Sequence, residues 1–541
     1  MERTSVEIQK TPSIRNCPIA SSIHATPGRG IHRSKRGRLR FPDSGSDIGL
    51  HTNEPALVLD TARGLARKAP STIEQAGPGV DIRINPSSFR DPAGFVFERE
   101  GVLYRQINES YRSNYERLLE SNLYRSLVSD GLLIPHEEVQ LDGPSYSHLY
   151  KIIRPVRVEF ISYPYEWCFT QLKQAALATL RIQLRALDVG MTLKDASAFN
   201  IQFVRNKPLL IDTLSFVLHD NGSPWLAYSQ FCRHFLAPLL LIAHRDLRLG
   251  QLSRVWLDGI PLDLASGILP RSTWLRPAWL IHLHLHAQSE RRLSGQRQAL
   301  TSGKRLSLDR LVMFIRHLES SIKSLTYRAS RTPWSDYRPK GHYGEAAITD
   351  KTDHVRRFVN RVKPSLVWDL GANRGNFARL AADGGARVIA FDSDPQVVDE
   401  TYQALAAEHQ DRVTPLVMDL TNPSSGIGWS HEERLSFSDR GPADLILMLA
   451  ILHHLVIVNH LRFEQIARWC SRTCRFLVIE FVGTTDSQVK EMLTGRPAGA
   501  ESYDEGPFNE AFGQFFRTIE RQPLSGHSRV LYFLETIRAQ H

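Results

Sequence analysis

Short, mainly apolar runs, rather than alternating ones, recur through the last two-fifths of the chain. Leu366-Val367-Trp368, Val388-Ile389-Ala390-Phe391, Val413 to Val417 and Leu445 to Leu452 are each short, and stretches of other composition separate them. Strands buried on both faces require such runs, and strands alternating with helices make a parallel sheet covered on both sides. A helix through Phe463 to Trp469 leads to a further strand, Arg475 to Phe481, and Ser528 to Leu534 is expected as the final edge strand. The pattern predicts an α/β, doubly wound domain over residues 331–541.

Upstream the pattern changes. Gly94 to Tyr104 reads as a β-hairpin, followed by a helix from Glu109 through Leu132 and then mixed segments, so an α+β domain is expected over residues 90–270. Trp279 to Arg291 and Leu306 to Leu325 read as helices of a connector over 271–330, the second amphipathic and followed by Trp334-Ser335-Asp336-Tyr337. Residues 1–85 have no sustained periodicity and are rich in Ser, Pro, Gly and Arg, the composition of a disordered tail.

Composition narrows the class. With 541 residues, 42% of them hydrophobic, the chain can form about three domains with sizeable cores. The formal charge of +10 owes much to the tail, where Met1 to Arg40 holds nine Lys or Arg against Glu2 and Glu7. That run could meet an anionic surface, but no folded nucleic-acid module and no interleaved aromatics accompany it, so a solvated tail is the simpler reading. Five cysteines, sparse and odd in number, argue against a secreted disulfide scaffold and fit a reducing cytoplasm. The longest apolar runs, Phe235 to Ala243 and Leu445 to Leu452, are too short to span a bilayer, and no signal-peptide core opens the chain.

The richest chemistry lies between Ser365 and Pro395. The first strand ends on Asp369, and Gly371-Ala372-Asn373-Arg374-Gly375 turns the chain into a helix near Asn376. The next strand ends on Asp392, 17 residues after Gly375, where an acid can hydrogen-bond ribose hydroxyls at the switch point of a doubly wound sheet. Glycines at 371 and 375 let backbone approach a ligand, and Asn373 tolerates positive φ. The turn lacks the third glycine of a dinucleotide fingerprint and places an acid ahead of it, which suits a ligand with an ammonium group. Asp369 and Asp392 could also serve merely as helix caps.

Asp-x-Gly-x-Asn-x-Gly resembles motif I of class I S-adenosylmethionine (SAM)-dependent methyltransferases, with Asn373 standing where Gly is frequent. The resemblance spans roughly Trp334 to Leu534. It implies a Rossmann-like fold with Asp369, Gly371, Asn373, Gly375 and Asp392 around SAM, and Asp419 accepting from the adenine amino group. The Trp334-Tyr337 segment would cover the cofactor. Ile451-Leu452-His453-His454-Leu455 follows the fourth strand. His453 or His454 could take a proton from an acceptor, stack on it, or satisfy a backbone carbonyl; Glu480 is a further base candidate.

A second pattern lies in the middle domain. Asp195 is followed by Asn200 and, 12 residues later, by Asp212 in Leu209-Leu210-Ile211-Asp212-Thr213. This resembles the catalytic loop of protein-kinase-like and aminoglycoside-phosphotransferase-like enzymes, implying a catalytic Asp195 with Asn200 and Asp212 holding magnesium. The pattern departs from those enzymes at Lys194, at Thr213, and in lacking a glycine-rich loop; Lys151 is the nearest strand-borne lysine. Turn formation by the same Asp and Asn residues is the alternative. The alternating His282, His284 and His286 would share a face on a strand but scatter on a helix, so no resident metal is expected; Cys470 and Cys474 read as core or helix-face residues.

The combination of a kinase-like domain and a methyltransferase domain resembles the rhizobial host-specific nodulation proteins of the NoeA type. The resemblance implies a bacterial cytoplasmic protein acting on a symbiotic signal or surface glycan. The expected activity is methyl transfer from SAM to a small-molecule or glycan-linked acceptor. The alternatives are a non-catalytic binding protein and a bifunctional kinase-like methyltransferase.

Overall fold

The computed structural model describes residues 82–141, 148–293, 306–329, 345–494, 503–526 and 528–537. Most of the expected basic tail, Cys17 and the Trp334-Tyr337 segment lie outside the described residues.

Strands β1 (Ile82–Ile84), β2 (Gly94–Arg99), β3 (Val102–Asn108), β4 (His136–Val139) and β5 (Leu149–Pro155) form an antiparallel sheet in the order β1-β2-β3-β5-β4. Glu100 and Gly101, with φ of 53° and 77°, make the two-residue left-handed turn that a twisted hairpin favours between β2 and β3. The expected helix from Glu109 to Leu132 is instead broken: Arg112–Glu120 and Leu123–Ser129 are separate helices, because Asn122 takes a left-handed conformation with φ 59°. Apolar periodicity carries through this break, and so the sequence pattern hides it.

The helix Phe169–Asp188 then enters a group of short strands: β6 (Met191–Leu193), β7 (Ile201–Val204), β8 (Lys207–Leu210) and β9 (Phe216–Leu218). β6 pairs with β9 and β7 with β8, around the 194–200 loop. Helices inserted between the third and fourth strands of a five-stranded antiparallel sheet, then a long helix and these hairpins, make a kinase-like α+β arrangement. Leu311, Ile315, Leu318 and Ile322 of the helix Leu308–Lys323 are buried in the same core as Leu172, Ala176 and Leu180. The three alternating histidines are helical and have different partners: His282 meets Tyr228 and His317, His284 meets Ser266 and Thr273, and His286 stacks on Tyr228.

The C-terminal strands are β10 (Leu366–Leu370), β11 (Arg387–Asp392), β12 (Val413–Val417), β13 (Ala443–Met448), β14 (Cys474–Val482), β15 (Phe516–Pro523) and β16 (Arg529–Thr536). Their order is β12-β11-β10-β13-β14-β16-β15, parallel from β12 to β14, with β16 antiparallel to both its neighbours. This is the Rossmann-like sheet of class I methyltransferases, and the strand order reverses between β10 and β13, where doubly wound folds open a crevice at the carboxyl ends. The last strand is not at the edge, as the sequence pattern suggested. β16 is inserted between β14 and β15, and the charged β15 forms the edge.

The antiparallel and parallel parts of the structure share one core, in which Phe160 packs edge-on against Trp368 and Phe391. Polar contacts flank it: Thr170 N donates to Asp399 at 2.7 Å, Tyr402 Oη to Gln174 at 2.6 Å, and Asn206 Nδ2 to the Val413 carbonyl at 2.7 Å.

Candidate active site

β10 delivers Asp369 to the switch point, buried at 3% exposure. The chain then reverses through three residues of positive φ, Gly371 (73°), Asn373 (47°) and Gly375 (71°), and Gly375 caps the helix Asn376–Asp383. Gly371 N and Ala372 N both donate to the Phe391 carbonyl at 2.9 Å, tying the turn to the end of β11. The positive φ of Gly371 favours glycine there, and a Cβ would fall 2.6 Å from the terminal methyl of Ile451, which would have to shift. Asp392 accepts from Asn373 N at 2.8 Å and Asp394 N at 3.0 Å, which fixes its carboxylate at the mouth of the turn.

These residues enclose a cavity of about 460 Å³. Asp369, Gly371, Asn373, Asp392 and Asp419 all line it; Gly375 does not, and shapes the turn from behind. Met418 and Leu420 flank Asp419, whose Oδ1 accepts from Thr421 N at 2.8 Å. His454 also lines the cavity, with Leu449, Ile451 and Leu455. His453 does not: its side chain is buried behind the wall, and desolvation lowers its pKa to about 3. Burial also lowers the pKa of His454, keeping the ring neutral at pH 7.

Electrostatics at the strand end favour a cationic ligand. Burial raises the Asp369 pKa to about 7, opposed by Lys351 and assisted by Asp392, and Oδ2 has no hydrogen-bond partner. Burial raises the Asp392 pKa as well. A buried carboxylate with an open oxygen is a receptor for an ammonium group. Glu480 is held away from such chemistry: it is fully buried, 2.6 Å from Lys351 Nζ and 3.4 Å from Arg529, which pairs in turn with Asp486 at 2.9 Å.

Lys351 escaped the sequence reading. It lies on the helix Glu345–Val362 and lines the cavity with Ile348 and Thr352. Its signal is nonetheless present, because it falls in the apolar stripe Ala347, Val355, Phe358, Val359 and is itself 5% exposed. A lysine inside such a stripe needs a buried partner, here Glu480. Ala450 is a second missed residue, a cavity-lining position held at φ 54°.

The kinase-like loop also converges. Burial raises the Asp195 pKa, with Asp212 adding to the rise, so the two carboxylates are neighbours; the Asn200 carbonyl accepts from Ile211 N at 2.8 Å, next to Asp212, and Asn200 Nδ2 is buried without a hydrogen-bond partner. Asp195 accepts from Gln230 at 2.8 Å and from Ser197 N at 2.9 Å. The cation facing Asp212 is Arg105 on β3, 2.7 Å away and also 2.8 Å from Asp91; Lys194 reaches Asp91 at 3.1 Å. Lys151 is therefore not the lysine of this cleft. It projects from β5 to Glu138 on β4 at 2.7 Å and is partly exposed. Among the described residues no group of three or more His, Cys, Asp or Glu is placed to hold a metal ion, and no helix is long and apolar enough to cross a membrane.

No family profile matches the chain. Among solved structures it is similar to the bifunctional kinase-methyltransferase WbdD (20% identity, 38% of this chain and 44% of that one, TM-score 0.26). It is also similar to the N-methyltransferase NodS of Bradyrhizobium japonicum WM9 (13% identity, 36% and 98%, TM-score 0.27). The fold assignment rests on the strand order described above. In sequence, the chain is 32% identical over 481 residues to nodulation protein NoeA of Rhizobium meliloti (strain 1021), spanning 87% of this chain and 99% of that protein. With a relative matched so nearly end to end, the chain belongs to the NoeA family of nodulation proteins.

Proposed function

We propose that the protein is a SAM-dependent methyltransferase acting on a small-molecule or glycan-linked acceptor, and that, like the relative's name, its role is in nodulation. The observation that carries this reading is the convergence of Asp369, Asn373, Asp392 and Asp419 on one cavity at the switch point of the sheet. Asp369 would receive the ammonium of the cofactor, Asp392 the ribose hydroxyls, and Asp419 the adenine amino group between Met418 and Leu420. The bound sulfonium supplies an already activated methyl group and a neutral leaving group. The protein's part is chiefly to hold the acceptor in line, about 3 Å from the methyl carbon. The apolar wall Leu449, Ile451, Leu455 excludes water, and His454, neutral at pH 7, can take the proton of a hydroxyl or ammonium acceptor.

In this reading residues 331–541 form the transferase domain, and the domain before it selects or presents the acceptor. The Arg105–Asp212 pair supports a binding role for the kinase-like cleft over phosphotransfer, since the residue that would hold a metal already has an internal cation. The buried free thiols Cys168, Cys232, Cys470 and Cys474 fit a cytoplasmic location.

The test is calorimetric titration with SAM and S-adenosylhomocysteine. Asp392→Ala should weaken binding by about 1.5 to 3 kcal/mol, the range for a hydrogen bond to a charged group. A folded wild-type protein that binds neither ligand would refute the assignment.

A further inference from the structure

The loop after β12 carries Asp419 into the cofactor cavity, and within its own domain it is held mostly by short-range contacts. Asp419 Oδ1 accepts from Thr421 N and Oγ1, Asn422 N donates to the Asp419 carbonyl at 3.1 Å, and Phe437 N donates to the Ser424 carbonyl at 2.7 Å. Met418 N anchors the start of the loop to the Asp392 carbonyl at 2.8 Å, and further ties beyond Asp419 come from the kinase-like domain. Arg254 donates from Nη2 to the Pro423 carbonyl at 2.8 Å and to Ser425 Oγ at 3.3 Å, and from Nη1 to the Asn422 carbonyl at 3.3 Å. Ser424 Oγ donates to Glu166 at 2.5 Å, and Glu166 is itself held by Arg440 at 2.6 Å.

A second cavity, about 310 Å³, lies along the same wall. Tyr165 and Arg254 line it from the kinase-like side, and it shares Ser393, Met418 and Asp419 with the cofactor cavity. One layer of residues, the one expected to contact adenine, thus separates the interdomain cleft from the cofactor. A planar fork binding three acceptors on one loop fixes both its position and its orientation, which a single contact cannot do.

We infer that Arg254 is a positioning residue for the adenosine end of the cofactor site, so that the kinase-like domain supplies part of the methyltransferase's affinity for its cofactor. The inference rests on the cofactor assignment above. It places the dependence at one end of the ligand: without Arg254 the Asp419 loop loses its register, while the turn at Gly371 to Gly375 and the ammonium receptor Asp369, which Arg254 does not touch, keep theirs.

The experiment is titration of full-length Arg254→Ala and Arg254→Lys with S-adenosylhomocysteine and with 5′-methylthioadenosine, which has the adenosine end but no amino acid. The expected result is a Kd raised on the order of tenfold for both ligands alike in Arg254→Ala, with partial recovery in Arg254→Lys and little change in the thermal midpoint of the free protein. A purely structural role would shift the midpoint and leave the Kd of the folded protein alone, and that outcome overturns the inference. If Arg254→Ala does not fold, Ser425→Ala and Arg254→Lys carry the test: unchanged affinity in both is equally fatal. Failure of the wild type to bind S-adenosylhomocysteine refutes the cofactor assignment itself, a result separable from a wild type that binds and a variant that binds as well.

Discussion

Arg440 and Glu166, 274 positions apart in the chain, form a bidentate ion pair between the parallel sheet and the segment before the long helix Phe169–Asp188, with Nη2 to Oε1 at 2.6 Å and Nη1 to Oε2 at 2.8 Å. Their side chains are 2% and 1% exposed, and the guanidinium also lies over the rings of Phe160 and Tyr163.

Truncating either partner leaves the other charge buried without compensation, so Arg440→Ala or Glu166→Ala should destabilise the protein by roughly 3 to 5 kcal/mol. Replacing both with apolar residues of similar volume should cost much less than either single change. Denaturant unfolding of the three variants checks this, and equal losses in the single and double variants would contradict it.

The raised pKa of Asp369, about 7, gives a signed pH dependence. Between the ordinary carboxylate range and about pH 7 the folded protein retains a proton that the unfolded chain has lost, so Asp369 lowers stability as pH rises through that window. An arriving ammonium favours the ionised form. SAM binding should therefore release a proton near pH 6 and release less near pH 8, where Asp369 is already ionised. Calorimetry in buffers of different ionisation heat measures the release; Asp369→Asn should abolish it.

Gly371→Ala tests the turn. At φ 73° an L side chain is strained by roughly 1 to 2 kcal/mol, and its Cβ would press on Ile451, whose terminal methyl can yield. The expected outcome is a modest drop in stability with a larger loss of SAM affinity, because Ile451 lines the same cavity.

His454→Ala should leave SAM affinity nearly unchanged and reduce turnover once an acceptor is in hand. His453→Ala should act through stability, as its ring is buried outside the cavity wall. A variant pair in which only the second loses turnover, with stability intact, would reverse these roles.

The positions of Asp369, Asp392 and Asp419 were legible because each closes an apolar run, and strand ends at a switch point are set by local sequence order. Asp195, Asn200 and Asp212 were legible for the same reason, as a short-range pattern. The cations were not. Arg105, Lys351, Arg254 and Arg440 gain their roles from partners scores to hundreds of positions away, which no local spacing records. The order of the last two strands was also missed. Arg517-Thr518-Ile519-Glu520-Arg521 looks too polar for a strand, yet an edge strand carries such charges. The apolar run Val530 to Leu534 marks an interior strand by the same logic that identified β13.

The charge chain from Lys351 through Glu480 and Arg529 to Asp486 begins at the switch-point cavity and ends at the cap of the helix Ser487–Leu493, with Arg529 contributed by the last strand. Until that strand inserts between β14 and β15, Glu480 and Asp486 face a sheet interior with no counter-charge from Arg529. The cavity built from the first strands of the parallel sheet thus depends on a residue of its last-paired strand. Removing Arg529 would therefore be felt at the cavity wall through Glu480 and Lys351, much as a change in the cavity's own lining would be.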